Sequence, residues 1–177
     1  MVVALYFGSF DPMHIGHLTI CKYLADSIET DQVRLVVSPA NPLKKKSYSA
    51  SGAERLKSVS RAVSPLGRKV KVSGIEFTLK RPLYTINTLR EINRREPGNK
   101  FILVIGADNL EIIEKWHDWR SLLEEFEVWV YPRKGIPARE LCGKYGTRYL
   151  EAPVIDISST QIRDSEERGY DLSHLKV

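Results

Sequence analysis

The chain is poor in cysteine, with only Cys21 and Cys142 among 177 residues. They stand far apart and form no Cys-x-x-Cys pair, which excludes a disulfide framework and suits a reducing compartment. Each sits in an apolar helical context and reads as a small core residue. Glycine (11) and proline (9) are too sparse for a collagen-like or low-complexity chain. No apolar run approaches the roughly 20 residues that span a bilayer. The N-terminus, Met-Val-Val-Ala-Leu-Tyr-Phe-Gly, lacks the basic segment of a secretory signal. Carboxylates are nowhere clustered in the way an all-protein metal cage requires. These absences lead us to expect a cytoplasmic protein with no membrane partner.

What is present is ordinary for a globular chain: 42% hydrophobic and 28% charged residues. At about 150 residues per domain, residues 1–177 are expected to form one domain. Such a domain buries about 70% of the surface its unfolded chain exposes. The 27 Lys and Arg against 22 Asp and Glu leave a formal charge of +5. An anionic partner is therefore favoured, and charge alone does not choose between nucleic acid, a membrane surface and a phosphorylated small molecule.

Short apolar runs at residues 2–7, 33–37 and 101–105 read as buried strands, and residues 128–130 and 148–150 add two more. Residues 70–72 and 75–79 are strand-like, split by Gly74. Between them lie helical patterns: Leu18, Cys21, Leu24, Ala25 and Ile28; residues 53–63; residues 85–95; a run from Leu110 through Leu123; residues 137–145; and a last one after Ser158-Ser159. Strands alternating with helices predict an α/β fold, a Rossmann-like doubly wound parallel sheet with helices on both faces. Ligands of such sheets bind at the carboxyl ends of the strands. The loops after Phe7, Val37, Ile105, Val130 and Ile157 are then the ones that matter.

The first of these reads Gly8-Ser-Phe-Asp-Pro-Met-His-Ile-Gly-His17. His14 and His17, three apart, are expected on one face of a helix's first turn, beside free amides and the positive end of the helix dipole. Gly8 permits a tight turn, and Gly16 is expected to let a ligand approach the backbone. In the last loop, Ile157-Ser-Ser-Thr-Gln-Ile-Arg163, Ser158 and Gln161 form a capping-box pattern. Ser159 and Thr160 add donors, and Arg163 adds a permanent charge suited to phosphate oxygens. Ordinary capping with a surface arginine is the bland alternative. Gly106-Ala-Asp108 follows the most apolar strand, placing a carboxylate where it can accept hydrogen bonds from ribose hydroxyls. Trp116 and Trp119, in Lys-Trp-His-Asp-Trp, are core aromatics on the plain reading.

His-Ile-Gly-His on this scaffold resembles the signature of the nucleotidyltransferase superfamily, and the fuller first loop resembles its adenylyltransferase branch. Ile-Ser-Ser-Thr-x-Ile-Arg resembles the second phosphate-binding motif of that superfamily. Gly-Ala-Asp with a tryptophan eight residues on resembles the nicotinate-nucleotide adenylyltransferase family. Pro82-Leu-Tyr-Thr-Ile-Asn-Thr-Leu89 is similar to that family's Ser-Tyr-Thr-x-Asp-Thr-Leu, with Leu83 for Ser and Asn87 for Asp. Arg133-Lys-Gly135 is similar to its Arg-Pro-Gly, and Pro39-Ala-Asn-Pro-Leu-Lys-Lys to a longer Pro-Pro-His-Lys loop. The resemblance runs from Val2 to about Arg163, and the chain ends without the longer closing helix expected of the family.

That resemblance implies adenylyl transfer from ATP to nicotinate mononucleotide, giving nicotinate adenine dinucleotide and pyrophosphate. It implies catalysis by His14, His17 and Arg163, and an ATP site built from Gly8, Ser9, Phe10, His14, Gly16 and His17. Gly106 and Asp108, then Ile157, Ser158, Ser159 and Arg163, complete that site. For the second substrate it implies backbone recognition of the carboxylate at Tyr84 and Thr85, stacking by Trp116, and cations from Lys44 or Lys45 and Arg133. Mg2+ would enter on the substrate phosphates. Nicotinamide mononucleotide and phosphopantetheine remain alternative acceptors, and a catalytically silent nucleotide-binding regulator is the alternative from another class. The basic residues are scattered, with no aromatic RNA-binding signature, so no nucleic-acid partner is expected. A homo-oligomer is left open.

Overall fold

The computed structural model describes residues 1–39 and 51–177. Six parallel strands form one sheet in the order β3-β2-β1-β4-β5-β6: β1 Val2–Gly8, β2 Gln32–Val37, β3 Val70–Ser73, β4 Lys100–Gly106, β5 Glu127–Tyr131 and β6 Arg148–Tyr149. Strand order reverses between β1 and β4, which pair from Val2↔Lys100 to Tyr6↔Val104. A reversal of this kind opens a crevice beyond the strand ends.

Period-two alternation divides the core between the two faces of the sheet. On one face Ala4, Tyr6, Leu35 and Val104 pack with Ile20, Cys21 and Leu24 of α1 (Ile15–Asp26) and Val59 of α2 (Gly52–Val63). On the other, Val3, Leu5, Leu103 and Val130 pack with Leu89 of α3 (Thr85–Arg95) and Leu110 of α4 (Ala107–Glu111). Leu122 of α5 (Trp119–Glu125) and Cys142 of α6 (Ala138–Tyr145) join that second face. The cysteines therefore serve opposite layers, both buried and both free. The last helix, α7, covers Ser159–Glu167. Among the described residues no helix is long and apolar enough to cross a membrane.

Three local expectations are corrected. Ile28 is fully exposed, because α1 stops at Asp26 where the Ser27 N–H bonds the Leu24 carbonyl. The buried position there is Thr30, whose hydroxyl also donates to the Leu24 carbonyl, at 2.8 Å. Residues 75–79 do not form a strand. Ile75–Thr78 is a 3₁₀ turn around Glu76, whose buried carboxylate accepts bonds from Ser38 and Thr88. Finally, the apolar run after Leu110 is broken into α4, a 3₁₀ turn at Ile113–Lys115 and α5, with Asp118 left-handed at φ 52° between the last two.

Candidate active site

The crevice at the β1/β4 reversal is a cleft of about 790 Å³, well within the range of ligand sites. Gly8, Ser9, Phe10, His14 and His17 line one side of it. Ser158 and Ser159 border it from the start of α7, while Tyr84, Thr85, Asp108, Trp116 and Arg133 complete the walls. Most of the residues singled out in the sequence thus share one concave surface. Lys44 and Lys45 fall outside the described residues.

The two histidines are organised by main-chain bonds. His14 is the N-cap of α1, and its Nδ1 accepts the Gly16 N–H at 3.0 Å. His17 Nδ1 accepts the His14 N–H at 3.2 Å. This is a capping box built from imidazoles, and it stacks the rings with centroids 3.7 Å apart at 23°. An Nδ1 that accepts an N–H cannot carry a proton, so each neutral ring keeps its hydrogen on Nε2. Both rings are thereby made donors at the nitrogen away from the backbone. The expectation of two histidines on one helical turn is sharpened: His14 precedes the helix and caps it.

Phe10 explains part of this arrangement. It sits at φ 50°, a left-handed conformation uncommon for a bulky residue. The turn drives its ring inward, where it meets His17 edge-on at 5.0 Å and Tyr6 at 5.6 Å. A Cβ on Gly8 would lie 2.9 Å from that ring. Gly8 is therefore needed for Phe10 to pack beneath the loop.

Burial of the His14 ring, with the Arg133 guanidinium nearby as the smaller cause, pulls its pKa down to about 4. The unfolded chain takes up this proton near pH 6.5. Lowering the pH from about 6.5 toward about 4 therefore favours unfolding, and above that window the effect is absent. The expected loss is at most about 3 kcal/mol. Denaturant titrations at pH 7.5 and 5 should show a larger drop for the wild type than for His14→Asn, which keeps a capping acceptor without the titration. Equal drops would refute this account.

Four sequence-picked residues do not line the cleft. Gly16 lies under the His14 ring: a Cβ there would be 2.9 Å from His14 Cε1 and 3.3 Å from Ile155 Cγ2. On that side Gly16 faces the protein's own imidazole, and it also borders a small cavity that it shares with His17, Tyr131 and Arg133. Gly106 plays the same part for Asp108, since a Cβ would lie 2.4 Å from Oδ1 and 3.0 Å from the Tyr131 ring. Ile157 offers its carbonyl to Arg133 Nη1 at 3.1 Å. Arg163 donates to the Asp11 carbonyl and to Thr160 Oγ1, with the buried Asp11 carboxylate 3.9 Å away. Its guanidinium braces the last loop against the first, because a carbonyl and a carboxylate both face it there.

Ser159 does the same through its hydroxyl, which donates to the Pro12 carbonyl at 2.7 Å. The Ser158 half of the capping box forms, with Oγ accepting the Gln161 N–H at 3.1 Å. On its other side the first loop is backed by the C-terminal residues: His14 pairs with Lys176, and the Val177 N–H reaches the Met13 carbonyl at 3.3 Å. At the opposite wall, Tyr84 precedes α3, which has no side-chain cap. The Tyr84 N–H is used by the Pro82 carbonyl at 3.1 Å, leaving Thr85 to open the helix. His117 stacks on Tyr84 with centroids 4.1 Å apart at 15°. Sequence reasoning missed His117, Ser38, Tyr6 and Tyr131, all of which line the cleft. Ser38 and Tyr131 stand at the ends of β2 and β5, where the strand-end rule pointed. Tyr6 sits inside a run that reads as core.

Known proteins resemble the chain in sequence and in fold. The cytidylyltransferase-like family model matches residues 5–165. The chain is 38% identical to a protein of Flavobacterium johnsoniae described as a probable nicotinate-nucleotide adenylyltransferase, covering 99% of this chain and 91% of that one. It is 41% identical to a protein of Christiangramia forsetii with the same description, over 98% of this chain and 90% of the relative. Among solved structures it is similar in fold to the Plasmodium falciparum nicotinic acid mononucleotide adenylyltransferase complexed with NaAD. The TM-score there is 0.80 at 17% identity, covering 98% and 87% of the two chains.

Proposed function

This chain belongs to the cytidylyltransferase-like family and, within it, to the nicotinate-nucleotide adenylyltransferases, and from that premise we propose how its cleft carries out the transfer. The enzyme moves the adenylyl group of ATP to nicotinate mononucleotide, forming nicotinate adenine dinucleotide and pyrophosphate in NAD biosynthesis. The observation that carries the mechanism is the imidazole pair at the end of β1, with both Nδ1 atoms occupied by main-chain N–H groups.

The mononucleotide's phosphate monoester is already anionic, so the protein need supply neither a strong base nor a nucleophile. Its oxygen attacks the α-phosphorus in line as the bond to the β-phosphate oxygen breaks, and pyrophosphate leaves with that electron pair. No proton is transferred. Catalysis then rests on positioning and on charge stabilisation. His14 and His17 present Nε2–H donors to the α-phosphate and the departing pyrophosphate. Arg133, close enough to His14 to depress its pKa, adds the positive charge on that side. Ser158 and the start of α7 receive the far phosphates. Arg163, tied to Asp11 and Thr160, holds the two phosphate loops together. Asp108, in the space left by Gly106, accepts from the ribose hydroxyls. Mg2+ would accompany ATP as part of the substrate, where it would offset charge on the phosphates, and no residue of this chain is assigned to hold it. The site of action is the cytoplasm.

Acceptor choice follows from the other wall. The uncapped start of α3 lines the cleft together with Trp116. Amide donors at a helix N-terminus suit a carboxylate, which offers two acceptor oxygens and a charge, whereas a carboxamide offers one oxygen and sets its NH2 against a second donor. Trp116 supplies the face on which the pyridine ring stacks. Pyrophosphate release from ATP and magnesium should therefore be fast with nicotinate mononucleotide, and slow with nicotinamide mononucleotide or phosphopantetheine. Release with none of the three would sink the enzymatic reading, and preference for the amide would overturn the substrate.

A further inference from the structure

Behind the wall of the cleft, a chain of bonds joins the catalytic loop to the helix that receives the acceptor. Ser38, the first residue beyond β2, has all three of its polar groups engaged. Its N–H donates to the Gly8 carbonyl at 2.9 Å, its carbonyl accepts from Arg55 Nη1 at 2.7 Å, and its hydroxyl donates to Glu76 Oε1. The same Arg55 nitrogen donates to the Ser9 carbonyl at 2.8 Å. Glu76 passes the connection on, since Oε2 accepts from Thr88 Oγ1 at 2.7 Å. Thr88 lies one turn into α3, and its N–H returns to the Tyr84 carbonyl at 3.2 Å.

Gly8, Ser38 and Tyr84 line the cleft, whereas Glu76 and Thr88 are buried at 2% and 1% exposure and do not touch it. A buried carboxylate is costly unless its oxygens are matched by donors. Glu76 resides in a 3₁₀ turn outside the residues that line the cleft, and its two oxygens are spent on two different walls of the site. Packing alone would be met more cheaply by an apolar residue of the same size.

We propose that Glu76 is a positioning residue for acceptor selectivity: by bridging Ser38 and Thr88 it fixes the start of α3 relative to the catalytic loop. This rests on the nicotinate reading given above. The bridge acts on the acceptor side, because Thr88 belongs to the helix whose first amides meet the carboxylate. Loosening it lets the Tyr84–Thr85 step drift, so the carboxylate loses more than a carboxamide does, while the histidine pair keeps its own main-chain bonds. Arg55 continues to hold Ser9 and Ser38, so ATP binding is spared.

Four substitutions test this. Glu76→Met keeps the volume and removes both bonds, and Thr88→Val cuts only the α3 end. Glu76→Gln can retain the bridge, because both hydroxyl partners can accept as well as donate. Phe77→Ser, at an exposed neighbouring position, controls for disturbance of the turn. Steady-state kinetics are measured with ATP and each of the two pyridine mononucleotides on proteins whose thermal melts show a folded state. For Glu76→Met and Thr88→Val we expect the KM for nicotinate mononucleotide to rise about tenfold, the scale of one misplaced hydrogen bond. Preference over the amide should fall by a similar factor, with the KM for ATP within about twofold. Glu76→Gln and Phe77→Ser should stay near wild type. If Glu76→Met and Thr88→Val leave acceptor KM and preference unchanged, or weaken ATP and acceptor alike, the inference is overturned. A wild type that ignores nicotinate mononucleotide would instead overturn the reading beneath it.

Discussion

Replacing His17 with alanine is expected to lower kcat by about 10²- to 10³-fold, the scale seen when one oriented donor is removed from a developing negative charge. The KM for ATP should change only a few-fold, because the phosphates keep the start of α7 and Arg133. The loss falls on kcat because a neutral imidazole gains most from charge that exists only in the transition state. His17 also accepts the His14 N–H, so alanine removes a cap as well as a donor. His17→Asn separates the two roles. Its side-chain oxygen can take the capping bond, and it has no nitrogen where Nε2 stood. Thermal stability should return with asparagine while kcat stays low. If asparagine restores the rate, His17 acts by capping and the donor role is wrong.

Much of this site could be read in the sequence because its elements are specified locally. The apolar run at β1, the three-residue histidine spacing and the strand-end rule depend only on near neighbours. The boundaries of α3, Thr85–Arg95, coincide with the periodic stretch read there. What was illegible is set by contacts distant in the chain. Ile75, Phe77 and Leu79 alternate as a strand should, yet the bonds from Ser38 and Thr88 to Glu76 impose a 3₁₀ turn. The bond from Arg163 to the carbonyl of Asp11, 152 positions away, has no local signal in the sequence. Phe10 gave no sign that its backbone turns left-handed to put the ring under His17. Ile28 kept helical spacing past the point where the Ser27 bond ends α1. Periodicity sees which residues want burial, and it cannot see which loops will meet.

Gly16 shows most directly how the packing of the folded loop changes the expected result of an experiment. On sequence grounds Gly16→Ala would obstruct a phosphate, raising the KM for ATP and sparing the fold. The structure predicts otherwise. The added Cβ would stand 2.9 Å and 3.0 Å from Cε1 and Nδ1 of His14, with Ile155 Cγ2 at 3.3 Å closing the other side. The imidazole is itself held, by the Gly16 N–H at Nδ1 and by the His17 ring stacked 3.7 Å away. It cannot swing without giving up one of these. Losing an N-cap bond costs about 1 kcal/mol. Moving a catalytic group by about 1 Å costs on the order of 100-fold in rate. Gly16→Ala should therefore melt at a lower temperature and lose about two orders of magnitude in kcat, with the KM for ATP little changed. The pH dependence of its stability should also flatten between about 6.5 and about 4, since a displaced ring is less buried and titrates nearer its ordinary value. A variant that keeps wild-type kcat and shows only a raised KM for ATP would return Gly16 to the ligand and remove it from the support of His14.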